Sequence, residues 1–219
     1  MSAMQTRRFL IGMSGAMLAA ALCLSPFAGS SAETEHPAST FLDSMRERAI
    51  TGLTDTSRSE QEREALFREL LNETFDIERI GRFVVGRYWR QADEGVQDDF
   101  LKAFEDAIVQ RFLPLFSQYQ GEELIIGEAA PDSKNPKFTV VTSTYVDAEG
   151  RKVKTDWRLL ERNGEYKVFD VMVEGVSMAI TLRSEYASVI KNQGGLPGLV
   201  TLLRDKLAKG EFKPAVAAQ

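Results

Sequence analysis

The chain has 219 residues, 43% of them hydrophobic and 27% charged, with 7 Pro and 16 Gly, which is a globular profile rather than a disordered or fibrous one. A formal charge of −5 argues against nonspecific binding to nucleic acid, because that affinity comes from clustered Lys and Arg. One Cys cannot form an intramolecular disulfide, and one His removes Ser/His/Asp and Cys/His catalysis and His-bearing zinc sites unless His36 itself takes part.

Residues 1–32 read as an export address. Arg7 and Arg8 precede an apolar stretch from Phe9 to Leu24, and Ser30-Ser31-Ala32 puts small residues before a scissile bond ahead of Glu33. An uncleaved amphipathic anchor is the alternative, but the stretch is broken by Ser14, Ser25 and Pro26 and is short for a bilayer. The arginine pair followed by Phe9-Leu10 suggests a twin-arginine signal, without the usual residue between pair and Phe. Cys23 lacks the lipoprotein context, since Ala20 and Leu22 stand where Leu and a small residue are wanted. Cleavage leaves 25 basic and 32 acidic residues, a net charge of −7, and no Cys. His36 then falls in the polar stretch 33–39, where a disordered tail is expected rather than a ligand.

Leu42, Met45, Ala49 and Leu53 recur at helical spacing, and Ser59 with Glu62 forms a capping box opening a second helix that turns Leu66, Leu70 and Leu71 inward. Asp76 caps a third helix carrying Ile77, Ile80, Val84 and Tyr88, with Gly81 and Gly86 suggesting close packing. A long fourth helix carries Val96, Phe100, Phe104, Ile108, Phe112, Leu115 and Tyr119, with a kink expected at Pro114.

After Gly121 the period changes to two, giving strands over 122–126, 137–146, 152–162 and 165–174. Asn163-Gly164 between the last two predicts a two-residue hairpin loop. With Arg162 facing Glu165 and Val146 facing Arg151, one sheet face collects Phe138, Val140, Thr142, Thr144, Val153, Thr155, Trp157, Leu159, Val168, Asp170 and Met172. Lys152, Lys154, Asp156 and Arg158 then face solvent, and a bulge would reverse the assignments on its strand. Ser177 caps a fifth helix with Ile180, Tyr186, Val189 and Ile190 available for burial; Pro197 starts a sixth, and 210–219 reads as a frayed tail. The order of helices, antiparallel sheet and helices is that of an α+β domain spanning 33–209.

The chain has no phosphate-cradling Gly loop, no Cys pair and no nucleophile elbow. Asp170 beside Trp157 on an apolar face could serve as a general base, yet a strand carboxylate more commonly accepts hydrogen bonds from an Arg or from a helix start. Phe83, Tyr88, Trp89, Phe112 and Phe116 either pack the core or line a ligand cavity. Arg79/Arg82 and Arg87/Arg90 form a solvated face or contact an anionic head group. The short side chains Thr142, Thr144 and Thr155 leave room beneath long helices, which favours a cavity.

The stretch from Phe75-Asp76-Ile77 through Arg90, with the Phe100/Phe104 helix after it, resembles the MlaC (toluene tolerance) family of periplasmic phospholipid carriers. Asp156-Trp157-Arg158, Tyr166 to Val171, Val173-Glu174-Gly175-Val176-Ser177-Met178 and Arg183-Ser184-Glu185-Tyr186 resemble that family's C-terminal signature in order and spacing. Ala92-Asp93-Glu94-Gly95 departs from the usual helix start, and a relative in hopanoid gene clusters shares much of the pattern.

This resemblance implies a periplasmic carrier, without cofactor, metal or catalysis, in an NTF2-like cone whose four-stranded curved sheet and helices enclose an apolar cavity. Its implied partners are phospholipid, an outer-membrane MlaA-type lipoprotein complex, and an inner-membrane Mla ABC transporter with its MCE-domain subunit. The lipid-binding set expected on this basis is Phe83, Tyr88, Phe112, Phe116, Val140, Thr142, Thr144, Thr155, Trp157, Val168, Met172, Val176 and Met178. Taking about 25 methylenes out of water is worth about 0.8 kcal/mol each, on the order of 20 kcal/mol, which a bilayer already provides, so such a cavity must match a bilayer. The alternatives are an exported isomerase or dehydratase using Asp170, a carrier of another lipid such as a hopanoid, and a structural module with a filled interior.

Overall fold

The computed structural model describes residues 36–212; the expected leader and the end of the expected tail lie outside the described residues. The first helix, α1 (Pro37–Leu53), starts earlier than the polar stretch suggests. Pro37 sits at its first turn, where a missing N–H costs nothing, and the His36 ring accepts the Ala38 N–H at 3.1 Å. His36 is thus a cap, and helix replaces tail from Pro37 onward. The capping box forms as expected at α2 (Glu60–Thr74): Ser59 Oγ accepts from Glu62 N at 3.2 Å, and Glu62 accepts from Ser59 N at 2.8 Å.

Asp76 caps α3 (Ile77–Val85), accepting from Arg79 N at 3.2 Å. This helix stops at Gly86, whose φ of +57° a residue with a Cβ rarely adopts, and a 3-10 turn over Gly86–Gln91 follows. Tyr88 therefore belongs to that turn and not to the helix. Next comes α4 (Glu94–Ser117), which contains Pro114. The close packing expected at Gly81 is present, since a Cβ there would lie 2.7 Å from Leu101 Cδ2.

Five strands, β1 (Glu123–Pro131), β2 (Phe138–Val146), β3 (Lys152–Arg162), β4 (Glu165–Val173) and β5 (Val176–Ser177), make one curved antiparallel sheet in sequence order. The fifth, unexpected strand is short and follows a tight turn with Glu174 at φ 51° and Gly175 at φ 79°. At Asn163 (φ 54°) and Gly164 (φ 82°) the predicted hairpin forms, with Arg162 opposite Glu165 and Leu159 opposite Val168.

Two local features reverse part of the expected face. Between β2 and β3 the loop holds three residues, because Asp147 N–H donates to Arg151 O at 3.0 Å and Gly150 takes φ 80°. Val146 consequently pairs with Lys152 instead of Arg151, and Val140 lies opposite Arg158 instead of Trp157. The whole of β2 is turned over by this single step. In β4 a bulge at Phe169 shifts the ladder so that Arg158 pairs with Asp170 and Trp157 with Val171, which sends Asp170 and Met172 to the opposite face.

After the sheet, Ser177 Oγ accepts from Ile180 N at 3.1 Å to cap α5 (Met178–Asn192), and α6 (Leu196–Ala208) closes the fold. Ile180, expected to be buried, is 55% exposed. The chain stays docked past the expected end of the domain: Phe212 packs on the helical core, and Gln110 accepts its N–H at 3.4 Å.

Candidate functional site

The apolar interior falls into two clusters. One joins the end of α1 to the helices α2–α6 and includes Leu53, Val84, Phe100, Phe104, Ile190 and Leu199. The other lies between α1 and the sheet, where Ala38, Leu42, Val141, Leu159 and Val168 are completely buried. Among the described residues Phe75 alone belongs to the surroundings of both. Its place follows from the sequence: it ends α2, sits one residue before the Asp76 cap, and bridges Val168 while Asp76 N donates to Val168 O at 3.0 Å. A seam between helical layer and sheet therefore runs along α3 and β4. At one end Phe75 faces Trp157, ring centroids 6.4 Å apart; at the other Phe83 meets Phe169 edge-on at 5.4 Å.

The inner sheet face of the seam carries Trp157, Leu159 and Thr155 on β3, as expected, with Val168 from β4. Trp157 Nε1 donates to Ser143 Oγ at 3.0 Å, and the Ser143 hydroxyl donates to Thr155 O, so the polar atoms in this apolar layer satisfy one another. From β2 the inner positions belong to Val141 and Ser143, and from β4 to Val171. Val140, Thr142 and Thr144 are on the outer face, where Thr142 is exposed and donates to Glu128 O at 3.1 Å. Met172 is also outside, its sulfur 3.8 Å from Arg158 Nη2, and Val176 is 59% exposed. Met178, at the start of α5, is half-buried.

The four aromatics expected on the helical side separate. Phe83 borders the seam, whereas Phe112 and Phe116 pack in the helical cluster, Phe116 against Phe67 at 6.1 Å. Tyr88 sits under the guanidinium of Arg87, 5.0 Å from its ring centre. The register error concealed Val141, Ser143 and Val171; Phe41, Leu42, Met45 and Phe75 were missed because an amphipathic helix does not announce which layer it covers.

The enclosed apolar hollow expected beneath the sheet is closed here by α1, whose Ala38 and Leu42 fill it. Two open clefts flank β1. One, of about 420 Å³, is lined by Asp43, Arg46, Ile50, Tyr119 and 122–126. The other, of about 440 Å³, is lined by residues including Thr142, Thr144, Lys152, Lys154 and Glu174. Both linings mix charged and apolar side chains and so do not resemble a greasy slot.

Asp170 does not adjoin Trp157. It accepts from Ser177 Oγ at 2.6 Å, Ala179 N at 3.0 Å and Arg158 Nη1 at 3.3 Å, while Arg158 also pairs with Asp132 at 2.6 Å. All of these neighbours donate to the carboxylate, which suits anchoring the start of α5 to the sheet. Among the described residues no group of three or more His, Cys, Asp or Glu is arranged to hold a metal, and no helix is long and apolar enough to cross a membrane.

Residues 43–205 match the family described as MlaC protein, which is more than half of the chain. The chain belongs to the MlaC family. A curated member from Haemophilus influenzae, the intermembrane phospholipid transport system binding protein MlaC, is 23% identical over 137 residues. That match covers 61% of this chain and 63% of the relative, so the chain spans less than two thirds of the relative's length. The MlaC-type α+β fold recurs in the phospholipid-binding protein from Ralstonia solanacearum, solved in complex with a phospholipid. That structure is 20% identical, with a TM-score of 0.70, and the similarity covers 80% of this chain and 98% of the other.

Proposed function

We propose that this MlaC-family chain is an exported carrier that moves phospholipid through the periplasm between an outer-membrane MlaA-type complex and an inner-membrane Mla ABC transporter with its MCE-domain subunit. The Haemophilus relative's name and the lipid held by the Ralstonia protein support the phospholipid part, and the leader expected over 1–32 supports export. What carries the reading in this chain is the pair of apolar clusters, bridged among the described residues at Phe75 and where Phe83 meets Phe169. Layers that share so little separate without dismantling either one, and acyl tails entering between them cover the surface that separation bares. Tails worth on the order of 20 kcal/mol against water find an apolar wall of Val141, Trp157, Leu159, Val168 and Val171 on the sheet once α1, whose Ala38 and Leu42 cover it, gives way. Phe75 borders this wall from the helical layer, and the thioether of Met45, on α1, adapts to tails of different shape. Thr155, Trp157, Val168 and Phe83 remain in the lipid set; Val140, Thr142, Thr144, Met172 and Val176 leave it.

The test is gentle purification followed by native mass spectrometry and solvent extraction. One phospholipid per chain is expected, and a protein that neither arrives with lipid nor takes it up from vesicles refutes the carrier role.

A further inference from the structure

β1 is the outermost strand of the sheet, and among the described residues no strand pairs with its free side. Which backbone groups point that way follows from the ladder. Asp147 N–H donates to Arg151 O, so alternate residues of β2 turn toward β3, and Thr144 and Val146 turn instead toward Ile125 and Glu123 of β1. The N–H and C=O of Leu124 and Ile126 then project from the free side. None of these four groups has a backbone partner among the described residues.

The far half of this edge is closed. A bulge at Gly127 and Glu128 breaks its line, the Ser39 hydroxyl donates to Gly127 O at 3.0 Å, and Pro131 ends the strand without an N–H. Over 123–126 the line stays regular. Beside it lies the cleft of about 420 Å³, bounded by Tyr119 and, from α1, by Asp43, Arg46 and Ile50.

The lining sets the chemistry of what fits. An added strand meets Ile50 on the α1 side, and on the other side Ile125, which is 51% exposed. Asp43, Glu122 and Glu123 stand against Arg46 alone, and its guanidinium is already engaged by Asp43 at 2.8 Å. Negative charge is left over at the cleft.

We infer that the 123–126 edge of β1 receives an extended segment of a partner protein that carries both apolar and Lys or Arg side chains. The segment adds as a further strand: its backbone pairs with Leu124 and Ile126, its cations answer Glu122, Glu123 and Asp43, and its apolar side chains cover Ile125 and Ile50. A second copy of this chain offering its own β1 brings the same glutamates to the contact and is repelled. Such docking stands or falls independently of the lipid cargo.

The experiment adds end-blocked synthetic peptides to the purified protein and follows amide exchange residue by residue by NMR. Lys-Lys-Val-Val-Lys-Lys is the probe, Glu-Glu-Val-Val-Glu-Glu the charge control, and the lysine peptide with both valines N-methylated the backbone control. Near saturation with the probe, exchange of the Leu124 and Ile126 amides is expected to slow about tenfold or more, and neither control is expected to change it. Glu122→Gln with Glu123→Gln is expected to weaken the probe about fivefold at unchanged melting temperature.

Unchanged exchange at both amides with the lysine peptide overturns the docking edge. Equal slowing by the glutamate peptide, or a double variant that binds the probe as well as the parent, overturns the basic partner. Equal slowing by the N-methylated peptide overturns strand addition, because side chains alone would then hold the segment. Slow exchange in the protein by itself removes the free edge: if it grows with protein concentration the occupant is a second copy, and if it does not the chain covers its own edge. Slowing by phosphatidylglycerol vesicles but not by the lysine peptide gives the cleft to lipid, which equally removes the partner.

Discussion

Phe75 and Trp157 hold the helical layer against the sheet, their rings tilted at 56° with centroids 6.4 Å apart. Phe75→Ala is expected to cost about 2–3 kcal/mol, less than the 3–5 of a completely buried Phe because this ring is half-buried, and to speed lipid uptake. Urea denaturation and a vesicle uptake assay measure the two effects. A destabilised variant with unchanged uptake would mean that the layers do not part along this line.

Asp170 ties the sheet to the start of α5. Replacing it with Asn leaves Arg158 with Asp132 but weakens the links to Ser177 and the start of α5. A loss of about 2–4 kcal/mol in chemical denaturation is expected, with lipid content unchanged at low denaturant. Wild-type stability in Asp170→Asn would show that the pairing contributes nothing.

Acid acts through the same network. The Lys134 N–H, and beyond it the Arg158 guanidinium, hold the Asp132 carboxyl below the usual carboxylate range against the opposing effect of burial. A carboxyl depressed in the folded state contributes stability that is present above its unfolded value, about 3.9, and lost as pH falls through the folded value. Melting temperature is therefore expected to drop below about pH 4. Asp132→Asn should start lower at pH 6 and fall less steeply; a curve parallel to the parent's would contradict this.

Gly81→Ala sets two effects of opposite sign against each other. Ala improves helix propensity by about 1 kcal/mol, but the new methyl meets Leu101 Cδ2 at 2.7 Å and Phe100 Cε1 at 3.3 Å, and overpacking costs about 1–3 kcal/mol. Net destabilisation of about 1 kcal/mol is expected by thermal unfolding. A more stable variant would reveal slack between α3 and α4.

Where chemistry is local, the sequence announces the structure. Ser59 with Glu62, Asp76, Ser177 and Asn163-Gly164 each specify their cap or turn within a few residues, and each forms. The inner face of β3 was readable for the same reason, because its hairpin to β4 is fixed by that turn. The faces of β2 and the far half of β4 were not. Four residues between Val146 and Arg151 allow either of two loop closures, and choosing between them depends on whether Asp147 and Arg151 pair, an energy difference too small to read from composition. The bulge at Phe169 has no signature in its own residues; it brings Asp170 opposite Arg158 across the sheet and Phe169 to Phe83, a contact that exists only once α3 is in place. The β3 candidates therefore keep the inner face expected of them, while those on β2 exchange faces with their neighbours.

Each of the two apolar layers contains one indole. Trp89 is packed in the helical cluster and Trp157 in the sheet cluster, and the sequence has no third. Intrinsic fluorescence consequently offers two optical reporters, one on either side of the slot, separable by replacing either Trp with Phe. A shift in emission from Trp157 with Trp89 silent would time the arrival of cargo without any added label.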